Sequence, residues 1–434
     1  MSKDNPITET TEELNQDNKW PVLTNNERDR RWARTRNLMK ELGLNCILVF
    51  DLQSREQLGN CLTNDVGGGI VVFPESGELV QLVRNYFNVS GNMLGQLRGD
   101  SVWSRDVRAP ALSGSVIEVL REKGFERSNI GVVGLNSEQP GSWEGQVPYA
   151  AWHNILEKLP HANFVEISID YCRMMLTKSE EELRLMRRAS AIAEEASQIM
   201  LDITRPGVPE NIVYAEVVKH LVLNGANTST DVYTSPMELH SGPNNSTWGP
   251  PMWLVRGQKP RIIQKGDIVT SEIFATYGGM ENQVQMCIGL EPLDSISKEC
   301  ALIARNAYEA GVKALIPGRK FIADVNQEME AVIKNAGAYH LTPLIHSLNP
   351  LIWVGTVATD VFKNLPGMSN YKKVKLEPGH KASGDLIIEP NMIFELETNA
   401  SLGNHRVNIG GCVIVKENSV EELNNLSTKM QIIA

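Results

Sequence analysis

Two stretches about 110 residues apart repeat one pattern: an amphipathic helix, a Pro-Gly break, a second helix, a glycine stop, then β-rich sequence. In the first, Ser179 and Glu182 form a capping-box signature. Leu183, Met186, Ala189, Ala193, Ala196 and Met200 then fall on one helical stripe. Pro206-Gly207 breaks that helix, and a second runs from about Pro209 to Asn224-Gly225-Ala226. In the second copy, Cys300 to Leu315 is helical and Pro317-Gly318 breaks it. A helix from about Asp324 to Asn335 then ends at Gly337-Ala338. The break and stop glycines lie 18 and 19 residues apart in the two copies. A lone helix pair cannot bury its apolar stripes. The duplication therefore predicts an α+β domain with a pseudo-two-fold axis and helices outside a curved sheet.

Inside the first β-rich stretch, residues 266 to 290 read as a strand, a turn and a returning strand. Ile268 to Phe274 is rich in β-branched and aromatic residues, Gly278-Gly279 signals the turn, and Val284 to Leu290 resumes the apolar run. Side chains alternate along a strand, which places Thr270, Glu272 and Phe274 on one face, and Gln283, Gln285 and Cys287 on one face of the return. The arrangement is either a solvated face or a convergence of a carboxylate with two amides.

Residues 1–17 are polar and read as a tail; 18–172 hold an α/β domain; 173–434 hold the duplicated domain. Asn26 to Leu42 is a helix with Trp32, Leu38, Met39 and Leu42 inward. Strands follow at Cys46–Phe50, Ile70–Phe73, Leu79–Val83, Ile130–Val133 and Asn163–Ile167, with helices near 113–123 and 147–158. Gly67-Gly68-Gly69 lacks a following Lys-Ser/Thr and reads as a turn, not a phosphate cradle. A net charge of −10 argues against a nucleic-acid partner. No stretch is long and apolar enough for a membrane helix, and the N-terminus lacks the apolar core of a signal peptide. Six scattered cysteines with no Cys-x-x-Cys point to reduced, buried thiols and a cytoplasmic protein.

The duplicated region resembles the creatinase, aminopeptidase P and prolidase family, whose fold is called pita-bread. The markers are Lys178-Ser179 before a helix bearing Glu181, Leu185, Met186 and Arg187; Ser241-Gly242-Pro243-Asn244; and Gly266-Asp267-Ile268-Val269. Further along they are His346, Glu389-Pro390-Asn391-Met392 leading to Glu397, and a closing Val413-Ile414-Val415 strand. The resemblance implies a hydrolase and a homodimer. In the family's metallopeptidases an Asp, Asp, His, Glu, Glu set holds two metal ions. Those positions fall on Glu272, Gln283, His346, Glu397, and Gly410 or, with a gap, Asn408. The family's upstream histidine falls on Gly249. Amides are weak donors and glycine offers none, whereas divalent ions need anionic oxygens. The expectation is therefore no two-metal site and no cofactor, with one metal on Glu272, His346 and Glu397 as the alternative.

Creatinase works without metal, which makes the leading expectation a metal-independent hydrolase of a C–N bond in a small metabolite, cationic ones included. The position of one creatinase glutamate carries Gln285, so creatine itself is not implied. The alternatives are an Xaa-Pro peptidase-like metallohydrolase, a small-molecule lyase of the same fold, and a pita-bread module that binds without catalysis. His346 is the natural proton shuttle, Glu397 orients it or a water, and Glu272 is the second carboxylate. Glu395 reads as structural. Trp248, Trp253, Phe274, Gln283, Gln285 and His240 are expected to line the substrate site, the aromatics as walls suited to a cation.

Overall fold

In the computed structural model the described residues are 19–52, 58–65, 68–136, 145–226, 236–243, 249–356 and 385–434. The chain divides into two compact units, Met1–Met175 with Ser179–Arg188, and Leu176–Lys178 with Ala189–Ala434.

The first unit is built on a mixed six-stranded sheet in the order β4-β3-β2-β1-β5-β6. The strands are β1 (Cys46–Asp51), β2 (Gly69–Pro74), β3 (Val80–Leu82), β4 (Asp106–Arg108), β5 (Asn129–Val133) and β6 (Asn163–Glu166). β1 is buried on both faces, as its unbroken apolar run requires of a sheet covered on each side. The helix Asn25–Leu42 starts at Thr24, whose hydroxyl accepts from the Glu27 amide, and stops at Gly43 in the left-handed region. Its inner face differs from the expected one. Arg31, Trp32, Thr35 and Met39 are buried, whereas Leu42 is 40% exposed. Polar residues go inside because they are paired: Arg31 bridges Glu27 at 2.8 Å and Glu182 at 3.0 Å. The capping box is present, with Ser179 Oγ accepting from the Glu182 amide and Glu182 Oε2 accepting from the Ser179 amide. Of the triple glycine read as a turn, Gly68 and Gly69 lie at positive φ, Gly69 as the first residue of β2; Gly67 lies outside the described residues.

The second unit is an eight-stranded sheet whose main path runs β10-β11-β12-β9-β8-β7, with β13 (Val420–Glu422) on β12 and β14 (Gln431–Ile433) on β9. Its strands are β7 (Met237–Gly242), β8 (Ile268–Tyr277), β9 (Met280–Leu290), β10 (Ile345–Ser347), β11 (Ile393–Leu402) and β12 (His405–Val415). β7-β8-β9 and β10-β11-β12 are each an antiparallel trio, joined where β9 meets β12. That is the pseudo-two-fold order the repeat predicts. The helices Glu180–Ile203 and Glu210–Leu223 precede the first trio, and Ser295–Ala314 and Gln327–Asn335 precede the second. Tight turns close both long hairpins: Gly278-Gly279, at φ 57° and 80°, lies between β8 and β9, and Gly403, at φ 59°, lies between β11 and β12. The even-numbered side chains of β11 face helices: Phe394 stacks on Phe321 with centroids 5.6 Å apart. Leu396 sits under Gly311, where an added Cβ would come within 3.0 Å of it. The odd-numbered side chains therefore point to the other face, and the site is built there.

Candidate active site

Strand register assembles this face into rows. Glu238 of β7 pairs with Glu272 of β8, Glu272 with Gln285 of β9, Gln285 with Gly410 of β12, and Gly410 with Glu397 of β11. In the neighbouring row Phe274 pairs with Gln283, whose backbone lies 3.4 Å from Cys412 Sγ; Cys412 pairs with Glu395, and Glu395 with His346. All of these are buried except the partly exposed Glu272. The face that the hairpin alone left open as solvated or convergent is thus a buried polar floor.

His346 and Glu397 sit diagonally on β10 and β11, with Nε2 3.9 Å from Oε2. His346 Nδ1 lies 3.0 Å from the Ser347 carbonyl. A carbonyl only accepts, so Nδ1 carries the proton and Nε2 is the basic nitrogen facing Glu397. Burial, then the charges of Glu272 and Glu238, push Glu397 well above the usual carboxylate range, against the Thr342 hydroxyl and Arg406. Glu395 is raised likewise, chiefly by burial, and takes a hydrogen bond from the Cys412 thiol at 2.8 Å. The raised carboxyl of Glu397 and the Nε2 of His346 thus face each other across 3.9 Å.

Arg406 and Glu238 are the site residues that motif reading passes over. Arg406 is 1% exposed and donates to Thr342 Oγ1 at 3.2 Å. Burial depresses its guanidinium, and Glu397, Glu238 and Glu272 counter that effect, so one fixed cation serves three carboxylates. Parity was the available signal. Arg406 alternates with Asn408 and Gly410, and Glu238 with His240, but only register across strands turns alternation into proximity.

His240 lies at the β7 end of this face, opposite Thr270. Its Nε2 donates to the Gly249 carbonyl at 2.6 Å, while the Gly249 amide donates to Glu238 Oε2 at 2.7 Å. Burial lowers the His240 pKa. Gly249 has φ 122°, a conformation that strains any side chain, and its backbone clamps both residues. Gln283 is engaged in the floor, donating to Glu281 Oε1 at 2.8 Å. Trp253 stands on the short helix Met252–Arg256, packed edge-on against Tyr214 at 5.5 Å, so the structure does not draw it into the rows. Trp248 lies outside the described residues.

A pair of metal ions does not fit these donors. A Cβ on Gly410 would meet the Leu396 carbonyl oxygen at 1.8 Å, so that position can bear no ligand. Asn408 Nδ2 donates to Gln285 Oε1 at 3.0 Å, and a buried guanidinium occupies the same neighbourhood. Among the described residues no three of His, Cys, Asp and Glu are grouped to hold a metal ion.

Known proteins place this architecture. The uncharacterized peptidase YqhT of Bacillus subtilis (strain 168) is 23% identical over 259 residues, covering 59% of this chain and 64% of that relative's length. Creatinase from Bacillus sp. (strain B-0618) is 22% identical over 321 residues, 72% of each chain. The crystal structure of X-Pro aminopeptidase from Thermotoga maritima MSB8 superposes with a TM-score of 0.68 at 16% identity, covering 93% of this chain and 99% of that one. That level of identity speaks to the fold, which is the pita-bread arrangement after an α/β domain. The model of metallopeptidase family M24 matches residues 184–417, more than half of the chain and nearly all of the sheet that carries the rows. The two trios and their covering helices lie largely within that match, and the chain belongs to metallopeptidase family M24.

Proposed function

We propose that the protein hydrolyses a C–N bond of a small metabolite without a metal ion. The observation that carries this is the facing of His346 Nε2 and Glu397 Oε2 across 3.9 Å on a floor whose positive charge comes from Arg406. In this reading Glu272 takes a proton from water as its oxygen bonds to the substrate carbon. Glu397, whose carboxyl is raised by burial, supplies a proton to His346 Nε2 and recovers one from Glu272 once the bond has broken. The histidine delivers the proton it received to the leaving nitrogen as the C–N bond breaks. Arg406 keeps the remaining carboxylates compensated. Phe274, Gln283 and Gln285 form the floor against which substrate rests, and His240 braces one end.

The subunits are proposed to pair. The helix Tyr86–Arg98 supports this by exposing Phe87 at 87% and Leu97 at 84%, apolar surface of the kind that association buries. Light scattering that finds a monomer at micromolar protein removes that element. Six buried cysteine thiols suit a reducing compartment, here the cytoplasm. Among the described residues no helix is long and apolar enough to cross a membrane.

The test of the mechanism is turnover on a panel of amide, ureido, guanidino and cyclic-amidine metabolites. With the best substrate, His346→Ala should lower kcat by about 10²- to 10⁴-fold with KM little changed. Glu397→Gln should cost comparably, and Gln283→Glu least. A His346→Ala enzyme with near wild-type turnover removes the mechanism. The second reading, an Xaa-Pro peptidase-like metallohydrolase with one ion on Glu272, His346 and Glu397, is favoured by the family match alone. It predicts peptide turnover that depends on added Mn²⁺.

A further inference from the structure

Two amides on the floor are only half satisfied. Two facing carboxamides have the donors and acceptors for two reciprocal N–H···O bonds, but Asn408 and Gln285 make one, Nδ2 to Oε1 at 3.0 Å. Gln285 Nε2 and Asn408 Oδ1 have no hydrogen-bond partner among the described residues. Gln285 is 0% exposed and Asn408 6%, so water does not freely serve them. Buried donors and acceptors of this kind are costly to leave unmade, and they mark where a partner is needed. Gln285 lies between Glu272 and Gly410 in the row, and Gly410 contributes no side chain to cover it. The unsatisfied edge thus belongs to the row that holds the carboxylates assigned to the reaction.

The pattern survives the usual ambiguity of amide orientation. If both amides are flipped, the bond runs from Gln285 Nε2 to Asn408 Oδ1, and the open atoms become Asn408 Nδ2 and Gln285 Oε1. Either way the edge offers one donor and one acceptor. Its complement is a planar group with a carbonyl oxygen beside an N–H. A guanidinium has donors only and leaves the edge's N–H unmet.

We infer that Gln285 and Asn408 form a recognition edge for a carboxamide or ureido group, and that the substrate is a neutral amide-type compound in preference to a guanidino one. The inference rests on the proposed C–N hydrolysis for its setting, and it narrows the substrate class of that site.

Isothermal titration with N-carbamoylglycine and guanidinoacetate tests it. The two share a tail and a shape and differ in a carbonyl against an amidinium. The wild-type protein should bind N-carbamoylglycine at least about tenfold more tightly, the worth of one satisfied buried hydrogen bond. In Asn408→Asp the Gln285 amide turns its NH₂ to the new carboxylate. The open edge becomes two oxygens, and the order of affinities should reverse. Gln285→Met should erase the preference, with thermal unfolding showing that each variant is folded. Equal affinities in the wild type, tighter guanidinoacetate, no binding of either at millimolar concentration, or an unchanged order in folded Asn408→Asp overturns the inference. Binding is read without turnover. A protein that prefers the ureido probe yet hydrolyses nothing therefore keeps this edge and loses the proposed reaction, and the opposite result does the reverse.

Discussion

Arg406→Met is the perturbation that asks most of this structure. The side chain is 1% exposed, and Glu397, Glu238 and Glu272 are the carboxylates that sustain its charge. Methionine fills much of the same volume, so the cavity contribution is small and the electrostatic one dominates. Removing one partner of a buried charge cluster leaves the others uncompensated, at a cost of about 3–5 kcal/mol. Adding Glu238→Gln removes one of the stranded carboxylates. A double-mutant cycle should therefore show a coupling of about 1–3 kcal/mol, the double variant being more stable than the two separate losses predict. Urea unfolding with a common m-value gives all four free energies. An Arg406→Met loss under about 1 kcal/mol, or a cycle additive within about 0.5 kcal/mol, refutes the claim that this guanidinium serves the acidic floor.

Two further outcomes follow from the backbone and from burial. Gly410→Ala places a Cβ 1.8 Å from the Leu396 carbonyl oxygen, which cannot move without parting β11 from β12. The loss should exceed about 3 kcal/mol in urea unfolding, and a loss under about 1 kcal/mol contradicts the packing. In the first unit, burial raises the Asp51 carboxyl to about 7 despite the Gly59 amide 2.9 Å away. Its native pKa is above its unfolded one, so between about pH 4 and 7 the folded state binds more protons. Stability from this group is full below that window and falls with rising pH by about 1.4 kcal/mol per unit. Asp51→Asn should remove that fall, and parallel pH–stability curves for variant and wild type would contradict it.

Much of the second unit was legible because its signals are local and redundant. The Pro-Gly breaks, the Ser179–Glu182 box and the Gly278-Gly279 turn each name a boundary, and strand parity then fixes which side chains share a face. What parity cannot supply is register between strands far apart in sequence. Glu238 and Arg406 lie more than a hundred residues from one another, and only the β7-β8-β9-β12 pairing brings both to Glu272 and Glu397. The choice between Gly410 and Asn408 was likewise left open until the Leu396 carbonyl excluded a side chain at the former. In the first unit the helix Tyr86–Arg98 shows no inward apolar stripe. It is specified by its ends, with Asn85 Oδ1 accepting from the Phe87 and Asn88 amides and Gly99 closing it. Leu42 was misplaced because periodicity alone ignored the paired charges that took the inner face of its helix.

The central claim, chemistry on a floor compensated by Arg406 in place of metal ions, is tested by elemental analysis of the purified protein together with turnover in excess chelator. The account predicts less than one equivalent of Zn, Mn, Fe or Co in total, with turnover and thermal stability unchanged after chelation. Stoichiometric metal, or turnover lost in chelator and restored by Mn²⁺, contradicts it.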